Sequence, residues 1–384
     1  MRFGQLMKTQ HRIIFKDARK MGDLASESVE LAVTSPPYPM IEMWDTVFAS
    51  QNPAIADHLL AGRGLEAFDS MHELLDEVWR ELYRILKPGC IACINIGDAV
   101  RTLNDRFQLY SNHARILNAL QKTGFSALPE ILWRKQINAP NKFMGSGMLP
   151  PGAYVTLEHE HILIVRKGNK RKFDSEPDRM RRRQSAFFWE ERNVWFSDVW
   201  MDLKGAVQKL NGHEARRRSG AFPFELPYRL INMFSVCQDT VIDPFLGTGV
   251  AMLAAAAAGR NSIGFEIDSS FDSRISDQLI RGVDLAQQRL RGRIRSHLDF
   301  VENRIQNDQG EMKHLSRNYR FPVMTRQEVD LRFYPLTSIA PAGPGRFEAT
   351  YSEILKEGYD GCETAPAMQD GRSDPGRVVQ LSLL

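Results

Sequence analysis

The stretch that decides the fold is VIDPFLGTGV at residues 241–250, where an apolar strand segment enters a turn with two glycines. The alanine-rich segment at about 250–258 predicts a helix, and the next strand, 262–265, is closed by Glu266. A glycine-rich turn lets a ligand approach the backbone, and the helix N-terminus beside it is electropositive. An acid after the next strand can accept hydrogen bonds from ribose hydroxyls. The unit therefore predicts a cofactor that contains adenosine.

Helices and strands alternate in the rest of the chain. Residues 70–86 carry apolar side chains at a spacing of four and predict a helix, and a strand at 91–96 follows the helix-ending Lys-Pro-Gly. Further elements are predicted as a helix at about 112–122, strands at 131–133 and 161–165, and a charged helix at roughly 271–292. This alternation is typical of an α/β sheet.

A second loop, Thr34-Ser35-Pro36-Pro37-Tyr38, follows a strand signal at 31–33. Because paired prolines cannot continue a strand ladder or enter a helix interior, the loop is rigid. Its backbone carbonyls and the Ser35 hydroxyl can hold an amino group in a set geometry, while Tyr38 stacks on a flat ring. The loop therefore suits a base with an exocyclic amine.

The two loops in this order resemble the beta class of bacterial DNA amino-methyltransferases. In that class a [DNS]PP[YFW] loop precedes an FxGxG loop, and the target-recognition region lies between them. The resemblance covers about 12–135 and 214–292. Segments that support it are 82–89, 94–98, 131–135 and 221–227, together with Asp17.

The resemblance implies an α/β fold, a Rossmann-like class I methyltransferase sheet with an inserted target-recognition region. The catalytic domain is expected at 1–135 and 214–300, and the insert at 136–213. A C-terminal extension is expected at 301–384, with its last residues predicted to be disordered. The expected cofactor is S-adenosyl-L-methionine. Its methyl group is already activated, so alignment of the reactants supplies most of the catalysis, and no metal site is predicted.

The resemblance also assigns roles to individual residues. The catalytic residues are expected to be Ser35, Pro36, Pro37 and Tyr38, which receive a base flipped out of double-stranded DNA. The residues expected to bind the cofactor are Asp17, Thr34, Phe222, Pro223, Asp243, Pro244, Phe245, Gly247, Thr248, Gly249 and Glu266.

The net charge of the chain is only +3, but basic residues are concentrated at 166–183, a segment we call the basic island. It contains nine Lys/Arg and three acidic residues, which gives a local charge of +6. Such an island is typical of a phosphate-binding patch, although a solvated loop explains it equally well. The residues predicted to bind DNA are Arg171, Lys172, Arg181, Arg182 and Arg183.

Ser35 stands where relatives specific for adenine usually carry Asp or Asn, which favours N4 of cytosine over N6 of adenine. A cytosine-C5 enzyme is disfavoured, because none of the four cysteines follows a proline. An RNA or protein amino-methyltransferase and a catalytically inactive DNA-binding subunit both stay open. So do the recognition site and whether a restriction endonuclease acts on the same site.

Composition limits the compartment and the chemistry of the cysteines. The chain is 43% hydrophobic and 25% charged, and its N-terminus lacks the apolar stretch of a secretory signal. No apolar run is long enough to span a bilayer, so we expect a cytoplasmic protein without a membrane partner. Cys90 and Cys93 have CxxC spacing, but Cys93 lies in the predicted strand at 91–96. We therefore expect both to be core cysteines.

Overall fold

The computed structural model describes residues 7–135, 144–205 and 222–352. The strands are β1 (Lys8–Ile14), β2 (Val29–Thr34), β3 (Leu86–Ile96), β4 (Ala99–Leu103), β5 (Arg106–Tyr110), β6 (Phe125–Ala127), β7 (Ile131–Arg134), β8 (Met144–Gly145), β9 (Ala153–Tyr154), β10 (His159–Lys167), β11 (Val199–Trp200), β12 (Thr240–Asp243), β13 (Asn261–Phe265), β14 (His314–Leu315), β15 (Pro322–Val323), β16 (Leu336–Gly343) and β17 (Arg346–Tyr351). The α-helices are α1 (Asp45–Gln51), α2 (Ala54–Leu60), α3 (Gly64–Ile85), α4 (Asn112–Thr123), α5 (Glu176–Gln184), α6 (Trp189–Trp195), α7 (Glu225–Phe234), α8 (Val250–Ala257), α9 (Asp272–Arg281) and α10 (Val283–Gln306).

One large sheet organises these elements, in the strand order β11-β7-β10-β3-β2-β12-β13-β1-β17-β16. Its centre is parallel, because β3, β2, β12, β13 and β1 all run in one direction. On either side of this centre, β10 and β17 pair antiparallel with their neighbours. The carboxyl ends of the parallel strands thus share one edge of the sheet, where ligands bind in open α/β folds.

Helices cover both faces of the sheet, and alternate residues of β2 show how. Ala32 packs in the core under α3, where Trp79 and Leu82 are fully buried. Leu31 faces the other way and packs with residues of α7 and α8 such as Ile231 and Ala254. Successive residues of a strand point to opposite faces, so a strand covered on both sides is mostly apolar, as β2 is apart from Glu30 and Thr34. The prediction of an α/β sheet is confirmed.

The segment 136–213, predicted to be an insert, is not separate from the sheet. Its strand β10 pairs with β3 from His161↔Ile96 to Arg166↔Ile91, and β11 pairs with β7. The sequence shows β10 only as a short apolar run and gives no sign of its partner. The division at 136–213 therefore stays a prediction as regards target recognition, but the segment contributes strands to the main sheet.

Residues 293–352 contain more regular structure than the sequence suggests. Helix α10 continues to Gln306, and the hairpin β16–β17 extends the sheet beyond β1. The helix buries charged residues that find partners far away in sequence: Arg293 binds Glu191, and His297 binds Glu190. Charge patterns cannot show such pairs, which is why the prediction of a helix ending near 292 is wrong.

Cys90 and Cys93 are buried and free, as expected of core cysteines. In the described ranges, no helix is long and apolar enough to cross a membrane. Three predictions lie outside the described residues: the domain boundary at 214, part of the family-like segment 221–227, and the disordered C-terminal end.

Candidate active site

The two loops that the sequence singles out meet at one edge of the sheet. Strand β2 ends at Thr34, the adjacent β12 ends at Asp243, and β13 leads into Glu266. Because these three strands are parallel neighbours, the loops that follow them surround a common space. That space is a cavity of about 360 Å³, lined by residues of both loops. Its volume is within the range of small-molecule and cofactor sites.

A direct hydrogen bond joins the two loops at the base of the cavity. Thr34 Oγ1 donates to Asp243 Oδ1 over 2.5 Å, and the backbone N–H of Phe245 donates to the same oxygen over 3.0 Å. Asp243 is 4% exposed, and this burial raises the pKa of its carboxyl to about 7. The aspartate thus fixes the start of the glycine turn to the end of the neighbouring strand.

The glycine turn is shaped for close approach by a ligand. Gly247 and Gly249 have φ of +54° and +86°, a region that side chains other than glycine rarely adopt. At Gly249 a Cβ would lie 2.9 Å from Ile275, whereas at Gly247 it would meet nothing closer than 4.0 Å. Gly249 is therefore required for packing, and Gly247 leaves its space open beside the cavity.

Glu266 is held in place by the turn that it faces. One carboxylate oxygen accepts the N–H of Gly247 over 2.8 Å, and the other accepts the N–H of Asp268 over 3.0 Å. Burial raises the pKa of Glu266, and these backbone donors oppose the shift. Nearby, Thr248 Oγ1 is buried and has no hydrogen-bond partner among the described residues. An acceptor and an orphaned hydroxyl at one cavity fit a polar ligand with hydroxyl groups.

A polar network holds the tyrosine of the proline loop. Ser35 Oγ donates to Tyr38 Oη over 3.1 Å, and Tyr38 Oη donates to Glu160 Oε2 over 2.9 Å. Asn95 Nδ2 donates to both Tyr38 Oη and Glu160 Oε2, and Lys135 Nζ lies 2.7 Å from Glu160 Oε1. Burial, and then the carboxylate of Glu160, raise the pKa of Tyr38. The phenol therefore stays neutral and donates a hydrogen bond to Glu160.

Three members of this network were missed as functional residues. Asn95 and Lys135 occur in segments that resemble the family, but no motif assigns them a role, and Glu160 belongs to no such segment. Glu160 lies on β10, which pairs with β3 and β7, so only the tertiary fold brings it to Tyr38. A polar residue preceding the apolar run at 161–165 was the one available hint.

Most of the residues predicted to contact substrate or cofactor line the cavity. They are Asp17, Ser35, Pro36, Pro37, Tyr38, Phe222, Asp243, Pro244, Phe245, Gly247, Thr248 and Glu266. Asp17 is oriented by Arg19, whose guanidinium lies 2.6 Å away and lowers the pKa of the aspartate against the effect of burial. The lining residues do not include Thr34, Pro223 and Gly249. Thr34 instead hydrogen-bonds Asp243, and Gly249 packs on Ile275.

The basic island lies at the edge of the sheet opposite the cavity, where the parallel strands begin. Arg171 binds the fully buried carboxylate of Asp239, which directly precedes the amino end of β12. In α5, Arg181 pairs with Asp178, and Arg183 pairs with Glu176 and Asp330. The structure therefore does not bring Arg171, Lys172, Arg181, Arg182 and Arg183 to the cavity. Their role as DNA contacts stays a prediction, and their position argues against it.

The sheet, the glycine turn with its acid, and the proline loop at the same cavity define a Rossmann-like methyltransferase. Comparisons with known proteins agree. The DNA methylase family profile matches residues 29–276. The chain is 49% identical to the type II methyltransferase M.MthZI of Methanothermobacter thermautotrophicus, over 91% of this chain and 97% of that protein. It is also 49% identical to the type II methyltransferase M.MjaI of Methanocaldococcus jannaschii, over 71% of this chain and 91% of that protein.

Among solved structures, the chain is similar to the protein TTHA0409 of Thermus thermophilus, solved in complex with S-adenosyl-L-methionine. The identity is 29%, the TM-score is 0.54, and the match covers 70% of this chain and 93% of that one. This chain belongs to the DNA methylase family whose members modify exocyclic amino groups of cytosine or adenine. The predicted cofactor, S-adenosyl-L-methionine, is confirmed at the level of this family.

Proposed function

We propose that this methyltransferase modifies N4 of cytosine in double-stranded DNA. The bound cofactor supplies a methyl group that leaves its sulfonium as a cation equivalent. The protein must therefore place the weakly nucleophilic amine in line with that group and turn its lone pair toward it. The described residues of the two loops contribute to that task in three ways: they accept from the amine, hold the cofactor and receive the base.

The observation that carries the proposal is the direction of the hydrogen bonds around Ser35. Tyr38 donates its hydrogen bond to Glu160, so the phenol oxygen accepts a hydrogen bond from the Ser35 hydroxyl. The hydroxyl proton of Ser35 thus lies in the hydrogen bond to Tyr38, and the Ser35 oxygen presents only lone pairs to the cavity. A neutral acceptor of this kind can hold an N–H of an amine. Ser at this position, where adenine-specific relatives usually carry Asp or Asn, favours cytosine.

The cofactor is proposed to lie along the glycine turn. The Glu266 carboxylate is placed to accept from the ribose hydroxyls, and Thr248 Oγ1 gains the partner that it lacks among the described residues. The open space at Gly247 allows the methionine end to approach the backbone. Asp17, just beyond the end of β1, and Phe222 line the same cavity and complete the proposed set.

The target base is proposed to leave the duplex before it reacts. The amine of a stacked, paired cytosine is not accessible to a recessed cavity, so the base must be extruded. Pro36 and Pro37 make the loop rigid, and Tyr38 offers a ring face at the cavity. Asn112 Nδ2 donates to the carbonyl of Pro39 over 3.1 Å and fixes the end of the loop. The receiving surface is therefore formed before the base arrives.

A partner nuclease is a second part of the proposal. The relatives M.MthZI and M.MjaI are named type II methyltransferases. We infer that this chain likewise marks a defined site and protects it from an endonuclease that cleaves there. DNA methylated by the protein should then resist that endonuclease while unmodified DNA is cut.

The deciding experiment is mass spectrometry of nucleosides from DNA methylated in vitro with the purified protein. We expect N4-methylcytosine as the product. Ser35→Ala should remove most of the transfer while the affinity for the cofactor is kept. Ser50→Ala is the matched control, because Ser50 is exposed on α1 and bonds to its own helix.

The competing functions give different products in the same assay. N6-methyladenine without N4-methylcytosine would show that the base is adenine, and 5-methylcytosine would contradict amino methylation altogether. Methylation of RNA or protein but not of DNA would contradict the substrate, and cofactor binding without transfer would indicate an inactive subunit.

A further inference from the structure

A cluster of two histidines and an aspartate lies next to the catalytic loop but takes no part in the proposed reaction. Asp98 follows β3, His113 is in the first turn of α4, and His161 is on β10. One ligand atom from each residue lies within 4.8 Å of the others. The three residues are separated by 15 and 48 positions in the chain. That spacing matches no metal motif, so the sequence predicts no metal site here.

The contacts in the cluster are close and specific. His113 Nδ1 lies 2.8 Å from both carboxylate oxygens of Asp98, and the rings of His113 and His161 are stacked at 3.8 Å. Glu130 Oε1 lies 3.4 Å from His161 Nδ1. The side chains of Asp98 and His161 are 9% and 10% exposed, whereas that of His113 is 29% exposed.

In the part of the chain that the structure describes, no Lys or Arg forms an ion pair with the cluster. Among the described residues, Asp98 and Glu130 make their ion pairs only with the two imidazoles. The cluster thus brings together two carboxylates and two imidazoles, which are all groups that can bind a cation. A mostly buried place of this kind favours a cation.

We propose that Asp98, His113 and His161 bind a divalent transition metal ion, with zinc as the first candidate. Two imidazoles and one carboxylate form a ligand set that zinc accepts, with Zn–N of about 2.0–2.1 Å. Glu130 holds the second nitrogen of His161, as carboxylates commonly do for metal-bound histidines. A metal lies in the plane of each imidazole that binds it, so one of the stacked rings must tilt. His113 is the more exposed of the two rings, so it is the ring that would tilt.

The ion would have a structural role at the edge of the active site. It ties together the carboxyl end of β3, the start of α4 and β10. Gly97, which directly precedes Asp98, lies so close to Tyr38 that a Cβ on it would be 3.0 Å from the tyrosine ring. The bound ion therefore braces the wall behind Tyr38 and takes no part in methyl transfer.

The test uses the full chain without a histidine tag, stripped with a chelator and titrated with Zn²⁺ by calorimetry and with Co²⁺ by visible absorption. We expect one ion per chain and a melting temperature that rises with Zn²⁺, since an ion that binds only the folded state stabilises it. His113→Gln and His161→Gln should each weaken binding by about 100-fold or more, and Glu130→Gln by about tenfold. His58→Gln, which removes a histidine outside the cluster, should bind like the wild type.

The wild-type titration decides the matter even where a variant fails to fold. A melting temperature that ignores Zn²⁺ would overturn the proposal, as would wild-type affinity in a folded His161→Gln variant. In either case the cluster is not the binding site of a metal ion, and its contacts serve only to pack the fold. Because no DNA or methyl donor is present, the result is independent of the proposed reaction.

Discussion

Thr34 and Asp243, which are 209 residues apart in the chain, are joined by a hydrogen bond of 2.5 Å between their side chains. The remaining residues of the proline loop follow Thr34 directly, and the glycine turn begins immediately after Asp243. This buried contact, together with the pairing of β2 and β12, holds the two loops in position relative to each other. Productive alignment of base and methyl donor depends on that contact in turn.

Thr34→Val should lower the free energy of unfolding by about 1–3 kcal/mol, because it keeps the shape of the side chain but leaves a buried acceptor with one donor fewer. Chemical denaturation measures the change. Thr102→Val, at an exposed position of β4, is the control and should change stability little. Equal stability of the two variants would mean that the bond contributes nothing to the fold.

Asp243 also predicts a dependence of stability on pH. Its pKa is about 7 in the folded chain and has the ordinary value of 3.8 when exposed. Between these values the folded state keeps a proton that the unfolded state has released. The stabilisation is fully present below the unfolded pKa and is lost as pH rises through about 7. Asp243→Asn does not titrate, so wild type should lose stability relative to this variant over that interval. Unfolding curves that stay parallel across it would contradict the burial effect.

The positions of Glu266 and Gly247 lead to a prediction of how substitutions there change the affinity for the cofactor. Glu266→Gln should weaken affinity for S-adenosyl-L-methionine by about 10- to 100-fold, since a charged acceptor is replaced by a group that also carries donors. Gly247→Asp should weaken it further, because a carboxylate fills the open space at the turn. Calorimetry measures both, with Glu302→Ala on the exposed side of α10 as the control. Unchanged affinity in both variants would show that the cofactor does not bind at this turn.

The sequence predicts the elements that depend on local pattern. The strand, glycine turn, helix and acid at 241–266 are where the pattern places them, and so is the proline loop. Glycine and proline in short motifs favour particular backbone conformations, and parallel strands then place both loops at the same edge of the sheet. The fold and the glycine turn could therefore both be predicted from the sequence.

What the sequence could not predict depends on pairing between distant strands. Glu160 reaches Tyr38 only because β10 inserts antiparallel between β3 and β7, and nothing local specifies that pairing. The same limit applies to the basic island: a run of arginines shows charge, but not that buried Asp239 and exposed acids already neutralise part of it. Asp98, His113 and His161 meet for the same non-local reason.

The position of the basic island leads to a prediction about DNA binding. Replacing Arg181, Arg182 and Arg183 together by Gln should leave DNA affinity unchanged and lower the melting temperature, because ion pairs with Asp178, Glu176 and Asp330 are lost. The measurement is DNA affinity as a function of salt. If the slope of log affinity against log salt instead falls by about 0.9 for each arginine, the island contacts phosphates after all.

Glu160 is predicted to be a positioning residue that acts through Tyr38. Glu160→Gln keeps an oxygen near the phenol but loses the ion pair with Lys135 and can donate where Glu160 only accepts. The hydroxyl of Tyr38 then no longer has to donate to residue 160, and the hydroxyl of Ser35 no longer has to donate to Tyr38. We expect kcat to fall by about tenfold or more, which is within the range for a group that orients reactants, with KM for S-adenosyl-L-methionine unchanged. Glu158→Gln, two residues away and half-exposed, is the matched control.

A double mutant separates this role from a merely structural one. Tyr38→Phe removes the hydroxyl through which Glu160 acts, so Glu160→Gln should cost nothing further in a Tyr38→Phe background. Residues that share one network are non-additive in this way, whereas independent effects multiply. If kcat falls by the product of the two single effects, Glu160 acts on the cavity by a route other than Tyr38. If the melting temperature falls and kcat does not, the network supports the fold and not the orientation of Ser35.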